Sequence, residues 1–151
     1  MFAQGCSIVA PVPRPWAWAA LLDARSLAAW NAVDGCDVRD LTTLSAGDEV
    51  SSMVRMLGRP IGATLCITEL EHERVFGLRT ESLAASIFET LTLSPESATE
   101  TRIDYAVDVL TPVPGPAVER AVSEHAQATC RGLGEFLQPG RVGDPGSLSW
   151  R

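Results

Sequence analysis

The sequence predicts an α+β domain: a curved antiparallel β-sheet wrapped around a long C-terminal α-helix, with two short helices near the N-terminus. Three observations carry this. Residues 37–110 read as short period-two segments separated by hairpin-length turns, which is the pattern of an antiparallel meander. Residues 117–137 carry an apolar stripe of helical period. The chain has 151 residues, 46% hydrophobic and 21% charged, enough for one globular domain with a sizeable core.

The first element is a small apolar run, Gly5 to Ala10, stopped by Pro11. Pro13 and Pro15 suit a helix start, and Trp16 to Leu22 is a compact helical stretch that Asp23 ends. Ser26 to Trp30 forms a second short helix with Ser26 as its N-cap. Six strands follow, over Asp37–Leu44, Glu49–Leu57, Ile61–Leu70, Arg74–Ser82, Ser86–Leu93 and Thr101–Leu110, with turns at Gly47-Asp48, Gly58-Arg59-Pro60 and 95–98. In the last of them Ile103, Tyr105, Val107 and Val109 alternate with Arg102, Asp104, Ala106 and Asp108. Prolines 112 to 116 break the pattern. The long helix then places Val118, Val122, His125, Thr129, Leu133 and Phe136 on one face, and Pro139-Gly140 ends it. Residues 1–140 are expected to form the domain and 141–151 a loose tail rich in Gly, Pro and Ser.

Composition removes several function classes. The formal net charge is −7, which offers nothing to a phosphate backbone, so no nucleic-acid partner is expected. All twelve basic residues are Arg, which excludes a lysine Schiff base and a P-loop. No apolar run is long enough to span a bilayer, and the N-terminus lacks a basic stretch ahead of an apolar one, so no signal peptide is read. Cys6, Cys36, Cys66 and Cys130 are scattered without a C-x-x-C pair, and His72 and His125 stand in no ligand pattern. No metal and no cofactor is expected. Four reduced thiols in a cytoplasmic protein is the reading that spacing supports.

Three segments resemble the polyketide cyclase/dehydrase-like branch of the SRPBCC superfamily. Val12-Pro13-Arg14-Pro15-Trp16-Ala17-Trp18-Ala19-Ala20-Leu21-Leu22-Asp23, closing at Trp30, resembles its P-x-x-x-V-W-x-x-L-x-D…W opening. Gly47-Asp48-Glu49-Val50 through Leu57-Gly58-Arg59-Pro60 is similar to its third-strand hairpin. Leu93-Ser94-Pro95 through Thr101-Arg102-Ile103 is similar to its L-x-P…G-T-R-V hairpin, with Glu100 where the family has Gly. The resemblance covers residues 5–138 and implies a helix-grip fold with an internal cavity between sheet and long helix. It does not imply one chemistry, because this fold hosts carriers, cyclases and co-chaperones. The Rieske cysteines and iron triad of ring hydroxylases are missing.

Period two places Glu89 on the inward face with Ile87, Leu91 and Leu93, a carboxylate whose pKa desolvation would raise toward that of a general acid or base. His125 on the inward stripe of the helix suits proton transfer. Tyr105, the only tyrosine, is expected inward, where its hydroxyl can hold a carbonyl oxygen. These three form the candidate catalytic set, each with the plain alternative of a satisfied core or rim residue. The candidate ligand contacts are Trp30 at the cavity mouth, Ser52 and Val54 on one strand, Phe76 and Leu78 on the next, Leu91, Val107, Val122 and Thr129. Arg79 and Glu81 join them if they face inward to hold an anion; competition from Phe76 and Leu78 for that face favours an outer ion pair. The expected partner is a hydrophobic small molecule, polyketide-like or another apolar metabolite, that the protein cyclises, aromatises or dehydrates by acid–base chemistry. The alternatives are a non-catalytic carrier or sensor of a lipid, quinone or metabolite, and a protein-interaction module with a filled core and an exposed apolar patch. A homodimer is left open.

Overall fold

Among the described residues seven strands form one antiparallel sheet in the order β1-β7-β6-β5-β4-β3-β2. The computed structural model describes residues 2–56, 59–83, 85–113 and 115–146. The edges are β1 (Phe2–Ala10) and β2 (Val33–Cys36). Between them in chain order lie α1 (Arg14–Leu21), a 3-10 turn (Ala24–Ser26) and α2 (Leu27–Trp30), so the helices carry the chain from one edge to the other. The meander is β3 (Glu49–Met56), β4 (Arg59–Glu71), β5 (Val75–Glu81), β6 (Ser86–Pro95) and β7 (Thr101–Leu110). The long helix α3 (Pro116–Phe136) packs on β1, β7 and α2.

The expected alternation holds on β7, where Ile103, Tyr105, Val107 and Val109 are buried. α3 buries Val122, Ala126, Thr129 and Leu133 along its inner stripe. Curvature enters at a bulge in β4 between Ile67 and Glu69. Gly77 lies across from it, and a Cβ there would sit 2.5 Å from Thr68 Oγ1. Gly132 serves a second close approach: a Cβ at this position would sit 3.0 Å from Trp30 Cα. α2 and α3 therefore meet backbone to backbone, which sets Trp30 and Asn31 beside the inner face of α3.

Four expectations are corrected. The strand expected over Asp37–Leu44 is absent; the edge strand is β2, and Leu41–Thr43 form a 3-10 turn. The Asp40 carboxylate accepts from the Thr42 N–H at 2.9 Å, a local bond that competes with strand pairing. Ser26 does not cap α2 through its side chain; its hydroxyl donates to the carbonyls of Ala20 and Asp23. Arg59 and Pro60 are not in a turn but open β4; Leu57 and Gly58 lie outside the described residues. Beyond α3, Val142 is 2% exposed and belongs to the core cluster. Residues 147–151 lie outside the described residues.

The fourth correction concerns the thiols. Cys6 on β1 and Cys130 on α3 are joined in a disulfide, while half-buried Cys36 and buried Cys66 are free. The scattered spacing hid this pair because the partners are 124 residues apart in sequence and meet only when α3 lies on β1. The support that four reduced thiols lent to a cytoplasmic location falls with it. Among the described residues no helix is long and apolar enough to cross a membrane.

A cross-link closing so long a loop restricts the unfolded chain strongly. Reduction with dithiothreitol, or the double variant Cys6→Ser/Cys130→Ser, is expected to lower the unfolding free energy by about 2–5 kcal/mol. Urea denaturation with and without reductant measures it. Coincident curves would mean the cross-link does not hold α3 to the sheet.

Candidate functional site

Glu89 sits on β6 with its side chain on the inner face and is 5% exposed. Its register partners are Leu78 on β5 and Val107 on β7. Tyr105 pairs with Leu91, so it lies diagonal to Glu89 on the same face, within reach of a long side chain. The Tyr105 hydroxyl donates to Glu89 Oε2 at 2.5 Å. From α3, His125 Nε2 approaches Glu89 Oε2 at 3.4 Å and the Tyr105 hydroxyl at 3.3 Å. From the end of α2, Asn31 Nδ2 donates to both carboxylate oxygens, at 3.2 and 3.1 Å, while its Oδ1 accepts from Ala32 N at 2.6 Å. Thr129, one turn beyond His125, is buried and offers the phenol a further hydrogen bond.

These contacts set the charge states. Burial pushes the Glu89 carboxyl up, but hydrogen bonds and charge from His125, with the Tyr105 and Asn31 donors, outweigh it and hold it below its usual value. The expectation that desolvation alone would raise Glu89 toward neutrality is thereby corrected: every donor in reach points at its charged form. Burial, and then the charge of Glu89, push the Tyr105 phenol well above the usual tyrosine range. Tyr105 therefore stays protonated, and its single proton is committed to Glu89. The phenol oxygen can then only accept, so His125 Nε2 must carry a hydrogen to satisfy either contact. In the neutral ring the lone pair is on Nδ1. Glu89 thus orients the imidazole, and the side chain of His125 is 23% exposed against 5% for that of Glu89.

The interior is tighter than a roomy cavity. One pocket of about 10 Å³ adjoins Glu89 on the side of Trp30, Phe76, Leu78 and Leu91. Another of about 30 Å³ adjoins it on the side of Val54, Thr80, Ile87 and His125 and meets the surface at Arg55. Packed side chains fill the space expected to be empty. Val107, Val122 and Thr129 are buried without lining either pocket. Ser52 turns its hydroxyl to the Ala63 carbonyl at 3.2 Å and lines neither pocket. Arg79 and Glu81 face away on β5, paired at 2.9 Å, because Phe76, Leu78 and Thr80 take the inner face.

The sequence reading missed Asn31 and Thr80. Nothing marked Asn31 beyond being polar after a helical stretch, and Thr80 was hidden by attention to Arg79 and Glu81. A larger open groove of about 670 Å³ crosses α1 near Trp18, Arg39 and His72, but its acids all have partners, Asp23 with Arg25, Glu73 with Arg14 and His72, and Asp40 with the N–H and hydroxyl of Thr42. The buried charge is at Glu89. Among the described residues no three His, Cys, Asp or Glu side chains gather as a metal-ligand set.

No family model matches the chain, and no curated protein matches it in sequence. Solved structures do match in fold. A START superfamily protein from Mycobacterium smegmatis aligns with a TM-score of 0.72 at 14% identity over 89% of this chain and 96% of that one. The Zhui aromatase/cyclase from Streptomyces sp. R1128 aligns with a TM-score of 0.68 at 15% identity over 92% and 97%. Protein CV1439 from Chromobacterium violaceum aligns with a TM-score of 0.68 at 17% identity over 91% and 98%. The chain has the START-like, SRPBCC-like fold that its sequence resembles; at these identities the likeness is one of fold.

A carboxyl held below its usual value in the fold adds stability that is complete above about pH 4.5, its ordinary value, and is lost as pH falls through the folded value. Glu89→Gln lacks this contribution. The stability gap between the natural protein and Glu89→Gln is therefore expected to be widest above pH 4.5 and to shrink on acidification. Urea denaturation of both at several pH values measures it. A gap that widens on acidification would mean that Glu89 is buried as the neutral acid.

Proposed function

We propose that the protein binds a small, mainly apolar carbonyl compound with its polar end against Glu89, Tyr105, His125 and Asn31, and that His125 moves a proton there. The supporting observation is the convergence of these four side chains from β6, β7, α3 and the end of α2 on the flank of an otherwise apolar core. Convergent polar groups inside an apolar wall suit an orienting site for a small molecule. The fold shared with an aromatase/cyclase supports the same class.

The chemistry needs no more than these residues. The lone pair of His125 takes a proton from a carbon next to a carbonyl, and the ring becomes an imidazolium. Glu89, fixed as a carboxylate, stabilises that charge across 3.4 Å. Returning the proton to a β-hydroxyl would expel water, and returning it after carbon–carbon bond formation would complete a cyclisation. Asn31 and Tyr105 keep Glu89 from turning toward the substrate.

Deuterium exchange at the central carbon of acetylacetone, followed by NMR, tests this. The protein is expected to accelerate exchange over buffer, and His125→Ala and Glu89→Gln each to cut the acceleration by about 100-fold or more with a smaller change in affinity. Variants as active as the natural protein would remove both residues from the mechanism. Binding without acceleration in the natural protein would mean a carrier.

A further inference from the structure

Around Glu89 two buried polar groups have no partner. Among the described residues nothing accepts from the Trp30 indole N–H or pairs with the Thr80 hydroxyl, and both residues are 3% exposed. They flank the carboxylate along the strands. Trp30 lines the pocket of about 10 Å³ with Glu89 and Leu91; Thr80 lines that of about 30 Å³ with Glu89, Ile87 and His125. Buried polar atoms are almost always paired, so two orphans on either side of one carboxylate, each beside a small space, call for atoms that occupy those spaces.

The chemistry of the walls defines those atoms. An indole N–H only donates, so Trp30 takes an acceptor. Tyr105 has spent its proton on Glu89, and Asn31 donates to the same carboxylate. Trp30 and Thr80 are therefore the buried groups beside the carboxylate that have no partner to give up for an incoming oxygen, and Tyr105 is not the group that holds a substrate carbonyl. An ionised Glu89 at the centre repels a carboxylate, and Arg55 at the mouth is already paired with Asp34 at 3.1 Å. The geometry points to Trp30 and Thr80 as the anchoring groups of this site, and to an uncharged ligand with two oxygen functions, one for each. This rests on the binding reading above and narrows it. Beside His125, the oxygen at Thr80 is the one that gains negative charge when a neighbouring carbon loses its proton, so the Thr80 hydroxyl stabilises the enolate.

Three probes of similar size separate the cases: acetylacetone with two uncharged oxygens, methyl propyl ketone with one, and levulinate with a carboxylate. Their binding is followed through the His125 ring and Trp30 indole resonances. Acetylacetone is expected to bind at least about tenfold tighter than the ketone, and levulinate not to bind. Thr80→Val and Trp30→Phe should each bring acetylacetone down to the ketone's affinity. Thr80→Val should keep or raise the melting temperature, since the hydroxyl has no protein partner to lose. Two results overturn the inference while leaving the binding reading intact: equal binding of acetylacetone and ketone, or Thr80→Val that lowers the melting temperature and leaves affinity unchanged, the sign of a buried structural water. If no probe moves the His125 resonances, the binding reading falls as well.

Discussion

A carboxylate cut off from water is tolerable only when donors surround it, and Glu89 draws its donors from three directions. Tyr105 comes from the neighbouring strand, His125 from the long helix and Asn31 from the end of the second short helix. α2 and α3 lie far from β6 in sequence, so one side chain ties together the sheet, α3 and the junction where the chain passes from helix to edge strand. Removing any donor leaves a buried charge short of a partner, which costs about 1–3 kcal/mol or more. The requirement therefore acts beside apolar packing in fixing how α3 lies on the sheet.

Two further constraints hold α3 in that place. Gly132 lets its backbone touch α2, and the disulfide from Cys130 ties it to edge strand β1. Both lie on the C-terminal side of His125. The half of the helix that carries His125 is held from one end, and beyond that by Val122, by the partial burial of Val118 and by the Glu89 cluster itself. Contact between His125 and Glu89 is thus part of what holds this half of the helix on the sheet.

Most of the fold was legible because it is periodic. β7 shows its inner face as Ile103, Tyr105, Val107 and Val109, and α3 shows its stripe from Val122 to Leu133. Carrying period two back along β6 placed Glu89 inside, and the helical stripe placed His125 opposite. What failed had no period. The loop 37–44 is held by the side chain of Asp40 rather than by a ladder. The Cys6–Cys130 pair depends on a contact between the two ends of the chain. Asn31 and Thr80 owe their places to a helix end and to an alternation whose polar member was not the charged one. The charge state of Glu89 was misjudged for a related reason: burial can be read from a pattern, but the donors that answer it come from elsewhere in the chain.

Reading the cluster as one unit divides its labour. Glu89 is held ionised, chiefly by His125 and then by Tyr105 and Asn31, and Tyr105 is held protonated by burial and by the charge of Glu89, so neither changes state near neutral pH. The proposed proton transfer therefore runs through His125, the cluster's only imidazole and the only one of the three that reaches solvent. Small interior spaces fit that arrangement. A wide cavity would wet the carboxylate and weaken its hold on the imidazole, because hydrogen bonds and charges act more strongly in a dry, low-dielectric surrounding. Here Phe76, Leu78, Leu91 and Val54 close around Glu89 and leave room only at its flanks. In this chain the START-like fold uses its interior to set the charge states of Glu89 and Tyr105, and the proposed ligand takes the space and the two donors that remain.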